Sequence, residues 1–345
     1  MSCFDTADFD AHEHVSFFAD QATGLRAIVA IHRTGALGTA GGGCRMWPYA
    51  DDSRALRDAL RLSRAMTYKL ALLELPAGGA KAVVIGDPAK DKSEALLEAL
   101  GRAVDRLGGR FIIAEDVGTS TADMAVVGRS TLWVSRDGGF DTAAATAYGV
   151  VVAIRTSLRR RLGRDTLEGV KVAVQGLGHV GAALCAQLAA AGARLWVADV
   201  DGAAVARAVA KSGAIAVAPA AIFDADVDVF APCALADALD RDTIARLRCS
   251  VVAGSANNQL AELGLADDLR GRRILYAPDI VSNAGGAMGA ACAVGADGAT
   301  LHARLDSLGA LLDGVFDRAE REDTSTQVAA ERIARERFAA MGGRP

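Results

Sequence analysis

Three side chains in the first third of the sequence have the type and setting to move protons: Lys69 in "AMTYKLA", Lys81 in "LPAGGAKAVVIGDP" and Asp116 in "AEDVGTS". Lys81 stands out. Two glycines and an alanine precede it, and an apolar run, Ala82 to Ile85, follows. A lysine kept at the mouth of a buried strand, where water is scarce, gives up its proton more readily than one in water, and such lysines act as bases. Lys69 sits late in a predicted helix among apolar neighbours, and Asp116 follows the apolar strand "RFIIA". Taken singly, a lysine late in an amphipathic helix is usually a snorkelling surface residue, and an aspartate after a strand is often a turn or cap. Together they supply a cation for a carboxylate, a base and a proton shuttle.

The segment "VAVQGLGHVGAALCAQLAAAG" carries Gly176, Gly178 and Gly181 as G-x-G-x-x-G. The spacing is weak on its own, but the first glycine follows a predicted strand and the last opens an alanine-rich helix. Glycines there permit a tight turn and close backbone approach, and the helix N-terminus beyond His179 and Val180 faces a pyrophosphate. Asp199, followed by Val200, ends the next strand eighteen residues beyond Gly181. Its carboxylate can accept hydrogen bonds from both adenosine ribose hydroxyls and would repel a 2′-phosphate, so the expected cofactor is NAD. Transfer of a hydride from the Cα of an amino acid would then need the three groups named above.

The segments "GGGCRMWPY", "LRLSRAMTYKLA", "LPAGGAKAVVIGDP", "AEDVGTSTADM", "TAYGV", "VQGLGHVG", "DVFAPCA", "GSANNQL" and "YAPDIVSNAGGA" follow one another in that order. In order and spacing the chain resembles the glutamate/leucine/phenylalanine/valine dehydrogenase family, on its leucine and phenylalanine branch, over roughly residues 12–340. The resemblance implies that Lys69 binds the substrate α-carboxylate, that Lys81 activates water against the iminium carbon, and that Asp116 exchanges protons with the amine and the carbinolamine. It implies that Thr146 holds the nicotinamide carboxamide and that Ala256 with Asn257 or Asn258 lies near the nicotinamide ribose. Asn283 closes the site from the cofactor side, and Gly41, Gly42, Ala114, Ala287 and Ala290 belong with it to the substrate site. The implied reaction is reversible oxidative deamination of an L-amino acid to its 2-oxo acid and ammonium by a homo-oligomer, dimer to octamer, associating through residues 13–34.

Two departures from the family pattern matter. Ala80 stands where relatives usually have a third glycine before the lysine. Gly41, Ala287 and Ala290 replace larger aliphatic residues of leucine-type members, which enlarges the side-chain pocket. Ala114 keeps the leucine-type pattern. The expected substrate is therefore bulky and apolar, phenylalanine first, with leucine or another branched-chain amino acid as the alternative. A non-catalytic relative that binds NAD and an amino acid is the remote alternative, kept open by Ala80 alone.

The elements that must position these groups read as α/β throughout. Apolar runs at 25–32, 81–85 and 110–114 alternate with amphipathic helices over 52–73 and 92–108, with Ser93 as N-cap and Gly108 as stop. After a glycine-rich boundary at 136–143 comes a helix, and then short strands at 170–175, 194–199, 226–232, 249–254 and 273–278 alternate with helices, the rhythm of a doubly wound parallel sheet. The expected domains are 1–138 for substrate binding and oligomerisation, 139–300 as an NAD-binding Rossmann domain, and 301–345 as C-terminal helices packing back towards the first. A cleft between the two domains is expected to close over the substrate.

At 345 residues, with 51% hydrophobic and 23% charged residues and a net charge of −4, the chain offers no footprint for nucleic acid or an anionic membrane. The acidic segment "MSCFDTADFDAHEH" lacks an apolar core, so no secretory signal is expected, and no run approaches the roughly 18 apolar residues of a spanning helix. Six scattered cysteines suggest reduced thiols in the cytoplasm, and no ligand pattern suggests a metal.

Overall fold

The structure, a computed structural model, describes residues 4, 6–135, 141–292 and 298–343, without the side chains of 290–292, 298 and 299. The α/β chain divides into two compact units, residues 1–137 with 334–345, and residues 138–333. The sequence boundary at 138/139 falls on 136–140, outside the described residues.

In the first unit β1 (His14–Asp20), β2 (Leu25–Arg33), β3 (Ala40–Trp47), β4 (Gly78–Ile85) and β5 (Phe111–Glu115) form a sheet in the order β1-β2-β4-β3-β5. The β1–β2 and β2–β4 pairs are antiparallel, and β3 runs parallel to both β4 and β5. Helix α1 (Asp52–Leu72) covers one face, where Ala55, Ala59 and Leu60 pack on Ile28, Ala30 and Val83. Helix α2 (Glu94–Asp105) covers the other, where Leu96, Leu97 and Leu100 pack with Ala80, Ala82, Val84 and Phe111. Side chains alternate along a strand, so β4 sends Lys81 to the α1 face and Ala80 to the α2 face. Asp51 caps α1 by accepting the Arg54 N–H, and Ser93 caps α2 by accepting the Leu96 N–H. A short helix, α3 (Thr121–Val127), follows β5.

The end of α1 is held by the chain's last segment. Arg335 Nε donates to the Tyr68 hydroxyl at 3.0 Å, and Arg337 donates to the Leu72 carbonyl. Beneath Tyr68 lies a buried polar group. His12 Nε2 bonds the Leu60 carbonyl at 3.0 Å, His32 Nδ1 meets Thr67 Oγ1 at 2.9 Å, and Thr67 Oγ1 accepts the Gly79 N–H at 3.0 Å. Burial, with His32 nearby, pushes the His12 imidazole down to about 4, and burial also lowers His14 and His32. A histidine buried neutral opposes protonation, while the unfolded chain takes up protons from about pH 6.5. Stability is therefore complete above pH 6.5 and falls as pH drops towards 4. The loss expected from His12 alone by pH 4 is about 3 kcal/mol. Thermal unfolding followed between pH 7 and 4.5 should show the slope, and His12→Gln should flatten it. A slope unchanged in that variant would assign it to other groups.

The second unit begins with α4 (Thr142–Leu162) and then alternates β6 (Lys171–Gln175), α5 (His179–Ala190), β7 (Arg194–Ala198), α6 (Gly202–Ser212), β8 (Ile215–Ala216), β9 (Val229–Pro232), α7 (Arg241–Arg246), β10 (Val251–Val252), α8 (Leu265–Gly271) and β11 (Leu275–Tyr276). It continues with α9 (Asp279–Ser282), α10 (Gly285–Cys292), α11 (Gly298–Arg321) and α12 (Thr326–Ala340), whose end belongs to the first unit. The strands form one parallel sheet in the order β11-β10-β9-β6-β7-β8. The order reverses direction between β9 and β6, the switch point at which such sheets open a crevice beyond their carboxyl ends. Among the described residues no helix is long and apolar enough to cross a membrane, and no cluster of His, Cys, Asp and Glu is arranged to hold a metal.

Candidate active site

The first unit gathers Gly41, Gly43 and Arg45 of β3, Gly79 and Lys81 of β4, and Ala114 of β5 on the α1 face of its sheet, since residues paired across parallel strands share a face. Lys81 is 4% exposed, and its Nζ lies 2.7 Å from Asp116 Oδ2. The sequence presents Lys81 as a lone ammonium; the fold gives it a counter-ion from the turn after β5. That turn is fixed by Thr119, whose Oγ1 accepts the Asp116 N–H at 3.0 Å and donates to the Cys44 carbonyl at 2.8 Å.

Glycine is required where the pair meets. A methyl group at Gly43 would sit 2.7 Å from Asp116 Cβ and 3.1 Å from Lys81 Nζ, and one at Gly42 would lie 1.7 Å from the Ala80 carbonyl oxygen. The run Gly78-Gly79-Ala80, which opens β4, behaves differently at its end. Ala80 is fully buried among the α2-side core residues, facing away from Lys81, and its φ is not positive. Its methyl group therefore neither crowds the Lys81 side of the strand nor strains the backbone.

Asp116 has a second cation. Arg45, 6% exposed, donates from Nε to the same Asp116 Oδ2 at 3.2 Å and from Nη1 to Asp58 Oδ2 at 2.8 Å. Tyr49 donates its hydroxyl to Asp58 Oδ2 at 2.5 Å. Burial acts to raise the Asp116 carboxyl, but Lys81 and Arg45 outweigh it and hold the group well below the usual carboxylate range. Arg45, Asp58 and Tyr49 are absent from the sequence reading. The available signal was an arginine inside the apolar strand "GGGCRMW", the same anomaly that singled out Lys81.

Lys69 is buried in the last turn of α1, the helix packed on Gly79, where a methyl group would lie 2.0 Å from the Thr67 nitrogen. Gly41 borders open space: a methyl group there would meet only Leu70 Cδ1, at 3.9 Å. The first unit thus brings Lys69, Lys81, Asp116, Gly41 and Ala114 onto one packed layer of sheet and helix, whereas Gly42, paired with Ile113, faces the α2 side.

The second unit holds the other candidates. Gly176 adopts φ +98°, and a methyl group there would lie within 2.8 Å of Ala234 in the loop after β9. At Gly181 it would meet the Gly176 carbonyl oxygen at 2.0 Å. Gly178, the N-cap of α5, provides no side-chain cap and has nothing within 4 Å of its missing Cβ. The first turn of α5, carrying His179 and Val180, therefore points N–H groups into open space at the switch point, a cradle suited to a pyrophosphate. Asp199 accepts the Leu177 N–H at 2.6 Å and the Asp201 N–H at 2.8 Å, which ties it to the glycine loop and leaves lone pairs for ribose hydroxyls. Val200 beside it is 94% exposed.

Asn283, between α9 and α10, donates from Nδ2 to the carbonyls of Ser255 and Ala256 at 3.2 Å and to Asn257 Oδ1 at 2.9 Å. Among the described residues its buried Oδ1 has no partner, and neither has the Nδ2 of Asn258, a residue with φ +51°. Orphaned buried polar atoms are costly, and here they edge the loop after β10. Thr146 of α4 donates to the Thr142 carbonyl at 2.8 Å and faces Gly286, where a methyl group would lie 2.7 Å from its Oγ1. The second unit therefore groups Thr146 with α10, and Ala256 and Asn257 with Asn283. Ala287 is partly buried on α10, and the side chain of Ala290 lies outside the described residues.

Residues 12–132 match the family described as Glu/Leu/Phe/Val dehydrogenase, dimerisation domain, and residues 138–209 and 201–339 match Glutamate/Leucine/Phenylalanine/Valine dehydrogenase. The chain is 44% identical to a leucine dehydrogenase of Bacillus cereus over 96% of its own length and 92% of that protein's. It is 43% identical to a valine dehydrogenase of Streptomyces virginiae, covering 96% and 95%. Among solved structures it superposes on L-tryptophan dehydrogenase from Nostoc punctiforme with a TM-score of 0.77 at 40% identity, covering 96% of each chain.

Proposed function

The chain belongs to the glutamate/leucine/phenylalanine/valine dehydrogenase family, and from that premise we propose that it catalyses the NAD-dependent oxidative deamination of a branched-chain L-amino acid, leucine first. Amino acid, water and NAD give 2-oxo acid, ammonium, NADH and a proton. The observation that carries this reading is the buried Lys81–Asp116 pair at 2.7 Å, on the layer that also holds Lys69.

Gly176, Gly178, Gly181 and Asp199 would hold the pyrophosphate and ribose of NAD, and Thr146, Asn257, Asn258 and Asn283 its nicotinamide half, which would supply the acceptor for a hydride from Cα. Lys69 binds the substrate carboxylate. Asp116 accepts a proton from the α-ammonium, which frees the amine lone pair. Lys81, without its proton, then takes one from the water that attacks the iminium carbon. Asp116 returns its proton to the amine of the carbinolamine, accepts the hydroxyl proton as the C–N bond breaks and the carbonyl forms, and passes it to the departing ammonia, which leaves as ammonium, while Lys81 releases its proton to solvent. Each transfer runs along hydrogen bonds within reach of the pair.

Leucine is favoured because the chain's similarity to leucine and valine dehydrogenases runs over nearly its whole length. A second reading, an aromatic substrate such as phenylalanine, is supported by the open space beside Gly41. Asp199 favours NAD over NADP by repelling a 2′-phosphate. Self-association through β1 fits its place at the sheet edge, with Phe17 64% exposed. The four described cysteines are free, which fits a cytoplasmic enzyme.

The test is initial NADH formation with leucine, valine, phenylalanine, tryptophan and glutamate, repeated with NADP. Leucine should give the highest kcat/KM, with NAD preferred. An aromatic optimum would select the second reading, and silence on every substrate would remove both. Filling the space with Gly41→Leu should lower kcat/KM for phenylalanine relative to leucine by about 10- to 200-fold, the range that one misplaced methylene contact spans. An unchanged ratio would show that Gly41 does not border the bound side chain.

A further inference from the structure

Arg45 occupies an expensive position. It is an obligate cation in an apolar strand, 6% exposed, and its two arms divide between two carboxylates. A guanidinium is costly to bury and is tolerated only where its charge and donors are matched. The match here is unequal in purpose. Asp58 holds the Nη1 end and is itself tied down by Tyr49, whereas the Nε end reaches Asp116 Oδ2, the oxygen that also receives Lys81 Nζ. One carboxylate oxygen thus bridges two cations, and only one of them changes charge during the reaction read above.

That difference has a consequence for the cycle. When Lys81 gives up its proton, Asp116 loses its nearer counter-charge in a buried site, and an uncompensated buried carboxylate would take up a proton or swing away. Arg45 stays charged throughout. We propose that Arg45 is a positioning residue that holds Asp116 through Oδ2 and keeps its carboxylate ionised, with Lys81 already without its proton, until Oδ1 receives the proton of the substrate amine. The inference rests on the dehydrogenase reading and adds to it the residue that lets two adjacent proton carriers change state independently. Asp58 and Tyr49 act through Arg45 as the brace that sets its reach.

The charged and titratable groups around the pair are Arg45 and Cys44 on β3, Tyr49 just beyond it, Asp58 and Lys69 on α1, and the Lys92–Asp123 pair behind Cys44. Burial pushes the Cys44 thiol up to about 12, so it stays neutral over the working range. Arg45 is therefore the fixed charge in contact with the pair. Removing it makes proton loss from the pair harder, because a neighbouring positive charge no longer opposes the protonated state.

The test is the pH profile of kcat/KM for the best substrate in wild type, Arg45→Met and Arg45→Lys, each checked for folding by circular dichroism and thermal melting. In Arg45→Met the acid limb should move to higher pH by about one to two pH units, with kcat reduced. In Arg45→Lys the charge is kept but one ammonium cannot span both carboxylates. Its acid limb should stay at the wild-type position while kcat falls about tenfold. A folded Arg45→Met enzyme with the wild-type limb would overturn the proposal, leaving Arg45 a structural residue. If that variant does not fold, Arg45→Lys decides: wild-type kcat, or a limb displaced like that expected for methionine, overturns it. An inactive wild-type protein would instead remove the dehydrogenase reading, so the two failures are distinguishable.

Discussion

Lys81→Ala is expected to lower kcat for amino-acid oxidation by about 10³- to 10⁴-fold, the upper part of the range for a positioned general base. The effect should fall on kcat because the substrate carboxylate is assigned to Lys69, on a different element, so KM for the amino acid should move by less than about tenfold. The fold should survive. Asp116 keeps Arg45 as its counter-ion at 3.2 Å, and Val83 and Ala82, which secure β4 in the two cores, are untouched. Lys69→Ala should show the converse, a rise in KM larger than the fall in kcat. NADH formation under saturating and limiting substrate separates the two. A fall in kcat of less than tenfold in folded Lys81→Ala enzyme would mean that another group, or water alone, serves as the base.

The lysine was legible in the sequence because a charge inside an apolar strand is an exception that demands a reason. Arg45 carries the same kind of exception, but it lies in "GGGCRMW", and three consecutive glycines do not read as a strand. Glycine is depleted in strands because it lacks a side chain to pack. Here the absent side chains are the point, since Gly43 and Gly42 let β3 approach Asp116 and β4 within distances that a methyl group would prevent. The nucleotide half was more readable. Its strands and helices alternate with short connections, and parallel sheets built that way have few topologies open to them. The first sheet mixes antiparallel and parallel pairs, with β3 inserted between β4 and β5. No local pattern encodes that insertion, because it depends on contacts between residues some 70 positions apart, such as Arg45 with Asp116. Substrate choice was the least legible feature. Counting methyl groups at Gly41, Ala287 and Ala290 points to phenylalanine, whereas the chain is 43–44% identical to leucine and valine dehydrogenases and 40% identical to a tryptophan dehydrogenase, each over nearly its whole length. A pocket's volume depends on how the backbone around it repacks, and side-chain size at three positions does not determine that.

Asp116→Asn should produce a loss of comparable size by a different physical route. Asparagine keeps the shape but neither accepts a proton nor carries charge, so kcat/KM should fall by about 10²- to 10⁴-fold. Two buried cations also lose a counter-ion at once. Arg45 retains Asp58 at 2.8 Å, but Lys81 loses its carboxylate partner at 2.7 Å. Breaking a buried pair by removing one partner costs about 3–5 kcal/mol, and the brace on Arg45 should hold the loss near the lower figure. The residual rate then carries the more telling signal. Without a negative charge beside it the Lys81 ammonium gives up its proton more easily, so the acid limb of the pH profile should move to lower pH. Arg45→Met moves it the other way. Opposite displacements from two neutralising substitutions on opposite sides of one carboxylate oxygen require that charge, and not packing, sets the protonation of this site. A displacement of the same sign in both would mean that each variant acts by loosening the fold around Lys81.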